Sequence, residues 1–292
     1  METVNADAAV SEASNREDDF KTLPEADLPS EPAAGETLAS RRLLDLQQDA
    51  EAFLRSAEAL RLSEPEQQRR AATIATGFEN YIVDFPKNVH ALILYGKFLR
   101  AIGQHDRANL IFVSANELDP KVAVVKQQIG NYLAETGEYA LAWAYFRAAA
   151  QLEPQEAVYH YQIAELLRVY RERFVELDLM TRPELDAKRV AALELAVAAR
   201  PGDLDLQAQL AQAQENRAQP DLPAALQLWQ GIEAGSADEL GRQWARVNQA
   251  RLLMAQQRQA EAAEVLARVD RPELAAARAD LESRLAQGSG SL

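Results

Sequence analysis

The 292-residue sequence has no cysteine, only three histidines and no long run of apolar residues. Without cysteine, the chain can form neither a disulfide nor a thiolate-ligated metal site, and it has no thiol nucleophile. No window of about 18 apolar residues is present, so we predict no membrane-spanning helix. The start, Met1 to Asp7, lacks the basic end and the apolar core of a secretory signal peptide, and a cytoplasmic location is the simplest expectation.

The scarcity of histidine bears on catalysis, because a nucleophile usually needs a base held beside it. His90, His105 and His160 lie in no recognisable catalytic spacing, and His105 falls in a predicted turn. The sequence also contains no glycine-rich phosphate loop and no His-x-x-x-His or Glu-x-x-His pair. We therefore predict a protein that is not an enzyme and that binds neither a cofactor nor a metal.

Basic residues are outnumbered, with 31 Lys and Arg against 45 Asp and Glu and a net charge of -14. Because phosphate affinity needs a basic surface, this balance argues against a nucleic-acid partner. Much of the negative charge lies in residues 1–37, which also hold three prolines and few large apolar side chains. We predict that this segment is a disordered acidic arm. It would act as a solubilising tail or, alternatively, compete with a ligand for a binding groove.

Helix-forming residues dominate the rest of the chain, where a repeat is the strongest signal. Pro86, Pro120 and Pro154 stand 34 residues apart, and further positions recur at the same interval. The matching pairs are Gly96 and Gly130, Leu99 and Leu133, Gly103 and Gly137, Ala108 and Ala142, Phe112 and Phe146, and Ala115 and Ala149. So many matches at one offset indicate one supersecondary unit that is written twice.

These two units resemble the tetratricopeptide repeat (TPR) family, whose pattern places Leu-Gly, an aromatic, Ala, Phe and Pro in this order. In the first unit these places are occupied by Tyr95-Gly96, Ala108, Phe112 and Pro120. In the second unit, Lys126 departs from the pattern. The resemblance implies an all-α fold, an α-solenoid of tandem helix-turn-helix repeats in a right-handed superhelix. Small residues would lie where paired helices cross, and Gly103 would end a first helix.

The same pattern divides the chain into segments. We predict a diverged leading repeat at 38–86, two clear repeats at 87–154, a third at 155–201, two diverged repeats at 202–271, a capping helix at 272–287 and a flexible tail at 288–292. The third repeat is too long, because its closing Pro201 lies 47 residues after Pro154. We place the extra residues near 168–186. In this repeat Arg189 stands where the family has alanine.

The resemblance also implies a concave groove lined by the first helix of each repeat. The residues that it places there with polar or aromatic side chains are Lys97, Arg100, Gln127, Asn131, Tyr161 and Arg168. Some members of the family hold the terminal carboxylate of a peptide with lysine, asparagine and arginine at such places. Glu165 stands where that clamp would need a cation, so the resemblance does not extend to the clamp. Two alternatives remain open: the groove binds an acidic or mixed peptide, or these residues form an ordinary solvated helix face without a ligand.

Three functions follow from these features. The first is a non-catalytic scaffold or adaptor that binds a peptide or protein segment in the groove. The alternative is a dedicated cytoplasmic chaperone for a secreted or aggregation-prone client. An enzyme or a nucleic-acid binder is a minor possibility that depends on the arginine-containing insertion. We also expect Trp143, Trp229 and Trp244 to pack in the core, because tryptophan has a large apolar area to bury.

Overall fold

The computed structural model of the protein describes residues 38–59 and 63–288. The predicted acidic arm at 1–37 and residues 289–292 of the predicted tail lie outside this part of the chain. The described residues form α-helices and one short 3₁₀ helix, with no strand, and none of these helices is long and apolar enough to cross a membrane. The chain divides into two compact units, the first ending at Glu138 and the second beginning at Tyr139.

The described residues of unit one form five helices. They are α1 (Leu38–Ala59), α2 (Glu64–Asp84), α3 (Val89–Ala101), α4 (His105–Leu118) and α5 (Ala123–Glu135). Aromatic side chains join the first three, because Phe98 of α3 lies 6.1 Å from Phe53 of α1 and 6.2 Å from Phe78 of α2, measured between ring centroids. The apolar positions of α1 and α3 therefore bring two helices together that are separated in sequence by α2.

Two glycines of the clear repeats have the same backbone conformation. Gly103 has φ 79° and Gly137 has φ 90°, in the left-handed region that glycine enters without steric cost. After Gly103, the Gln104 N–H donates to the Leu99 carbonyl at 2.8 Å, which satisfies a carbonyl at the end of α3. This confirms that Gly103 ends a first helix.

Gly96 lies where α3 crosses α4. A Cβ atom at this position would lie 2.7 Å from Cε1 and 2.8 Å from Cζ of Phe112, a contact that real side chains do not make. Phe112 and Ala108 of α4 are themselves buried. The absence of a side chain on Gly96 therefore lets the two backbones approach, as the repeat pattern predicts.

Unit two contains the remaining helices. They are α6 (Tyr139–Leu152), α7 (Ala157–Val169), α8 (Arg171–Glu176), α9 (Arg182–Ala199), α10 (Leu204–Asn216), α11 (Leu222–Gly235), α12 (Glu239–Ala255), α13 (Gln259–Leu266), the 3₁₀ helix Pro272–Leu274 and α14 (Ala275–Gly288). One core cluster extends from α10 to α14 and includes Trp229, Leu253 and Leu281. The last helix thus contributes Leu281 to the core that the two preceding helix pairs share.

The extra residues of the third repeat lie between the end of α7 at Val169 and the start of α9 at Arg182. Among the described residues, their only regular element is the six-residue helix α8, whose Phe174 is buried. The Phe174 ring lies 6.1 Å from that of Tyr139, and Tyr170 lies 4.8 Å from the same ring. The insertion is therefore fixed to α6 by aromatic contacts.

The three tryptophans differ in burial, so the prediction that they all pack in the core is correct only in part. Trp229 is fully buried, whereas Trp244 is 39% exposed. Trp244 stands edge-on against Trp229, with 4.7 Å between ring centroids and 83° between planes, so only part of its ring is packed. Trp143 is half-buried, and the guanidinium carbon of Arg147 lies 5.8 Å from its ring centroid.

Candidate functional site

The predicted groove residues of unit one are largely covered. Lys97 is 4% exposed and Gln127 is also buried, while Arg100 and Asn131 are half-buried. Arg100 of α3 donates to Glu135 at the end of α5 at 2.5 Å, so one of the predicted cations is held by a carboxylate of the same unit. Little polar surface is left at these places for a ligand to reach.

In unit two, the first helices of three repeats lie side by side. The Gln209 side chain of α10 donates to the Tyr161 hydroxyl of α7 at 3.4 Å. The Arg251 side chain of α12 donates to Glu215 of α10 at 2.6 Å. We call the surface of these three helices the unit-two face. It is formed by Tyr161, Glu165 and Arg168 of α7, Gln209 and Glu215 of α10, and Trp244 and Arg251 of α12.

Tyr161 lies at the edge of a small apolar cluster of the unit-two face. Its ring packs against Ala157, Ala196 and Leu206. The hydroxyl accepts the bond from Gln209 and donates none within the described residues. Burial raises the pKa of this hydroxyl above its usual value, which keeps it protonated. Tyr161 therefore offers an unused O–H donor at a partly exposed position.

Glu165 and Arg168 form a two-pronged ion pair on α7. Arg168 Nε lies 2.9 Å from Glu165 Oε1, and Nη2 lies 2.7 Å from Oε2. Hydrogen bonding to Glu165 raises the pKa of Arg168 above its usual value. The carboxylate that stands where a peptide clamp would need a cation is thus neutralised by its neighbour one turn away. Arg168 is the one predicted groove residue of the six that is largely exposed.

Glu215 of α10 binds both the buried Trp229 and Arg251. Its side chain is only 6% exposed, and it accepts hydrogen bonds from Trp229 Nε1 at 2.9 Å and from Arg251 at 2.6 Å. The partly exposed ring of Trp244 lies beside Trp229. Glu215 therefore holds Arg251 and Trp229 in place, and Trp229 in turn packs against the ring of Trp244, which solvent can reach.

Arg189 of α9 is the residue whose importance the sequence did not reveal. It is 8% exposed, and its Nε is buried without a hydrogen-bond partner. Burial lowers the pKa of its guanidinium below the usual value. Its electrostatic neighbours include Glu165 and Arg168, and it also interacts with the Tyr161 hydroxyl. The available signal was that Arg189 stands at a place where the repeat pattern has alanine.

The arginines of the insertion have carboxylate partners within unit two. Arg171 and Arg182 both pair with Asp186, and Arg173 pairs with Glu176 at 2.8 Å. Asp186 also accepts from the Ala218 N–H at 2.8 Å, so this buried carboxylate joins the insertion to the segment that follows α10. The positive charge that motivated a nucleic-acid or enzyme reading of the insertion is therefore engaged in internal ion pairs.

Solved structures resemble this chain in fold. The structure titled "Crystal structure of YrrB: a TPR protein with an unusual peptide-binding site" matches with a TM-score of 0.51 and 19% identity, covering 75% of this chain and 100% of that one. The structure of Naa15/Naa10 bound to HypK-THB matches with a TM-score of 0.51 and 18% identity, covering 85% of this chain and 35% of that one. No family model matches the sequence, and no curated protein does. These likenesses concern the fold alone, which is a helical repeat.

Proposed function

We propose that this chain, which has the helical-repeat fold of tetratricopeptide repeat proteins, is a non-catalytic scaffold or adaptor that binds a protein segment. The observation that carries the proposal is the unit-two face, where three neighbouring first helices present Arg168 and Trp244 to solvent. Tryptophan and arginine are residue types that recur at the energetic centres of protein interfaces. We place this protein in the cytoplasm as part of the same proposal.

The chemistry of the face suits an extended segment with mixed side chains. Trp244 and Arg251 both belong to α12 and offer apolar surface and a cation, while Tyr161 and Arg168 offer hydrogen-bond donors on α7. Donors suit backbone carbonyls and acidic side chains, and the ring suits an apolar side chain. In unit one, Arg100 and Asn131 are the predicted groove residues with partial exposure. We propose that they, together with Lys97 and Gln127, line a peptide groove in that unit.

Differential recovery of partners tests the proposal. The full-length chain is immobilised as wild type, as Tyr161→Ala with Arg168→Glu, and as Arg100→Glu with Asn131→Ala. Partners recovered by the wild type are quantified by mass spectrometry against each variant. We expect at least one specific partner whose recovery falls roughly tenfold or more with the α7 variant, corresponding to about 1.4 kcal/mol or more of binding energy.

Arg200→Glu is the matched control, because Arg200 is an exposed arginine at the end of α9 and lies outside the unit-two face. It adds the same charge change as Arg168→Glu. Thermal unfolding establishes that each variant remains folded. Equal recovery of every partner by wild type, both groove variants and the control contradicts the proposed binding surface.

A chaperone role is the second candidate, and the insertion provides the observation that favours it. Val169, Val175, Leu177 and Leu179 are all exposed large apolar side chains within one short segment. Exposed apolar side chains are the feature that a client-binding surface requires. Leu177→Ser with Leu179→Ser should then reduce the suppression of client aggregation, measured by light scattering at equimolar ratio. Equal suppression by the wild type and by the Leu177→Ser, Leu179→Ser variant would contradict a client-binding role for the insertion.

A further inference from the structure

Trp143 of α6 lies beside cations from two different helices. The guanidinium carbon of Arg147, one turn further along α6, lies 5.8 Å from the centroid of the indole ring. The ammonium nitrogen of Lys188 on α9 lies 6.0 Å from the same centroid. Both cations are exposed, and the ring is half-buried. Solvent therefore reaches two positive groups that are held near one aromatic ring.

Neither cation forms an ion pair or a hydrogen bond with another side chain in the described part of unit two. Most arginines of this unit do have a carboxylate partner, as the pairs of Arg242 with Glu239 and of Arg258 with Glu261 illustrate. The whole chain has a net charge of -14. Two neighbouring cations without acidic partners are therefore an exception on its surface.

The carboxylate that stands one turn before Lys188 on α9 is engaged at the end of the helix. Glu184 accepts hydrogen bonds from the Thr181 N–H at 2.9 Å and from the Thr181 hydroxyl at 2.7 Å. These bonds form the cap at the start of α9. Glu184 attracts Lys188 only at longer range, without an ion pair between them in the described residues. The positive charge of Lys188 is thus not matched by its own helix.

Small side chains leave both cations accessible. Ala144 of α6 stands on the same helix face as Arg147, and Ala191 of α9 stands on the same face as Lys188. Both alanines are exposed, and neither is long enough to shield a neighbouring charge. Because the two cations lie near one ring, a single ligand can contact both of them.

We propose that Trp143, Arg147 and Lys188 form a second interaction surface, which binds an acidic segment of a partner protein. Two carboxylates of that segment pair with the guanidinium and the ammonium group, and the indole ring packs against its aliphatic carbons. The surface belongs to α6 and α9, whereas the unit-two face belongs to α7, α10 and α12. The chain therefore has a separate surface for a second partner, and this inference goes beyond the single surface of the proposed function.

An acidic protein segment fits this surface better than a nucleic acid does. Nucleic-acid affinity comes from many phosphate contacts along a basic surface. Here two cations belong to a chain of net charge -14, whose long-range field repels a polyanion. Alternate residues of an extended segment point to one side about 7 Å apart. This spacing is shorter than the largest separation of the two cations that their distances to the ring allow.

The alternative is that the two cations only join α6 to α9 through Trp143. A cation against a partly exposed aromatic ring is a weak contact in itself. In that case substitution of the cations changes stability alone, and an acidic ligand has no effect on the surroundings of the indole. Binding measured at Trp143 therefore separates the two possibilities.

Fluorine NMR of the full-length chain labelled with 5-fluorotryptophan tests the proposal. The three tryptophans give three signals, and Trp143→Phe identifies the signal of Trp143. The probe is a capped peptide of five Glu-Ala repeats, and the reference is the same peptide with glutamine in place of glutamate. At equal ionic strength, we expect the glutamate peptide to shift the Trp143 signal in a saturable way and the glutamine peptide to leave it unchanged.

Charge reversal at the two cations supplies the decisive variant. Arg147→Glu with Lys188→Glu should raise the Kd of the glutamate peptide at least tenfold, because two attractions become repulsions. Arg147→Gln with Lys188→Gln removes the charges without reversing them and should also weaken binding. Lys121→Glu with Arg200→Glu is the matched control, since both residues are exposed, lie outside this surface and give the same change in charge. It should bind the peptide as the wild type does, and thermal unfolding establishes that each variant is folded.

The proposal is overturned if the glutamate peptide does not move the Trp143 signal, if both peptides move it equally, or if the wild type and both surface variants bind with equal Kd. An oligouridylate of ten nucleotides that binds at the Trp143 signal more tightly than the glutamate peptide would also overturn it, in favour of a nucleic acid.

Tyr161→Ala with Arg168→Glu distinguishes this surface from the unit-two face. We expect this variant to bind the glutamate peptide with the wild-type Kd. If it loses the peptide, the acidic segment binds at the unit-two face and the inference fails while the proposed function stands. If no recovered partner depends on the unit-two face but the Trp143 signal responds as expected, the second surface stands and the proposed site of the adaptor function fails.

Discussion

Arg251 and Glu215 form a hydrogen-bonded ion pair of 2.6 Å that joins α12 to α10, and the glutamate side chain of this pair is almost fully buried. Arg251→Met removes the charge that compensates the carboxylate. Trp229 Nε1 remains as a donor, so the loss is partial. Because Arg251 is partly exposed and solvent screens the pair, we expect a decrease of about 1–2 kcal/mol in the free energy of unfolding, measured by urea denaturation.

A double-mutant cycle separates this coupling from the loss of packing. Glu215→Gln keeps an acceptor for Trp229 and removes the negative charge, so the double variant Arg251→Met with Glu215→Gln should be more stable than Arg251→Met alone. Additive effects of the two substitutions would show that the pair contributes nothing to the contact between α10 and α12.

Gly96 provides a test of the close crossing of α3 and α4. A methyl group at position 96 would collide with the buried ring of Phe112. Gly96→Ala should therefore lower the free energy of unfolding by roughly 1–3 kcal/mol, because overpacking outweighs the helix propensity of alanine. Gly202→Ala is the matched control, since a Cβ atom there meets nothing within 4 Å. An unchanged or raised stability of Gly96→Ala would mean that the two helices can separate without cost.

The repeat pattern predicted the fold because the residues that carry it act locally. Gly103 and Gly137 end first helices through their own backbone conformation, and Gly96 permits one particular crossing. These effects depend on one residue and its immediate neighbours, so a single sequence displays them. The helical register of α7 follows from the same pattern, so Tyr161 and Arg168 could be assigned to one helix, whereas their role in a binding groove stays a prediction.

The details of the site could not be predicted, because they depend on which side chains meet across different helices. The sequence shows that Arg189 departs from the pattern, but it does not show that Arg168 and Arg171 take both nearby carboxylates. It equally does not show that Trp229 fills the core of its repeat and leaves Trp244 partly in solvent. Competition between partners is a property of the folded arrangement, and no spacing rule contains it.

Gln257 carries the turn of the last helix pair in a conformation that suits glycine. Its φ is 61°, and the Arg258 N–H donates to the Leu253 carbonyl at 2.8 Å, as at the glycine turns. Gln257→Gly should raise the free energy of unfolding by about 1 kcal/mol, because the left-handed conformation costs a side-chain-bearing residue that amount. Differential scanning calorimetry should record a higher Tm.

Gly103→Ala is the reciprocal variant, since a Cβ atom at Gly103 meets nothing within 4 Å and only the backbone conformation opposes it. It should lower stability by a similar amount. If the Tm of Gly103→Ala falls but the Tm of Gln257→Gly does not rise, the Gln257 side chain stabilises the folded state enough to offset the cost of its backbone conformation.

Glu239 should make stability depend on pH in the acid range. Hydrogen bonds from Gln243 at 3.0 Å and from Arg242 at 2.8 Å lower the pKa of its carboxyl to about 2. The usual value is near 4.3, so the folded state holds the ionised form more strongly than the unfolded chain does. The contribution is therefore complete above about pH 5 and is lost as the pH falls towards 2.

Glu239→Gln removes this titration, so the Tm of the variant should fall less steeply between pH 5 and pH 3 than that of the wild type. Glu264→Gln is the control, because Glu264 is exposed on α13 and makes no side-chain hydrogen bond in the described part of the chain. It should keep the wild-type slope. The expected slopes follow from proton linkage. As the pH falls, the unfolded chain takes up a proton at Glu239 before the folded chain does, which lowers the stability of the wild type and of Glu264→Gln. Glu239→Gln has no such proton to take up and therefore lacks this loss of stability. Parallel curves for Glu239→Gln and the wild type would show that the hydrogen bonds from Gln243 and Arg242 do not persist in solution.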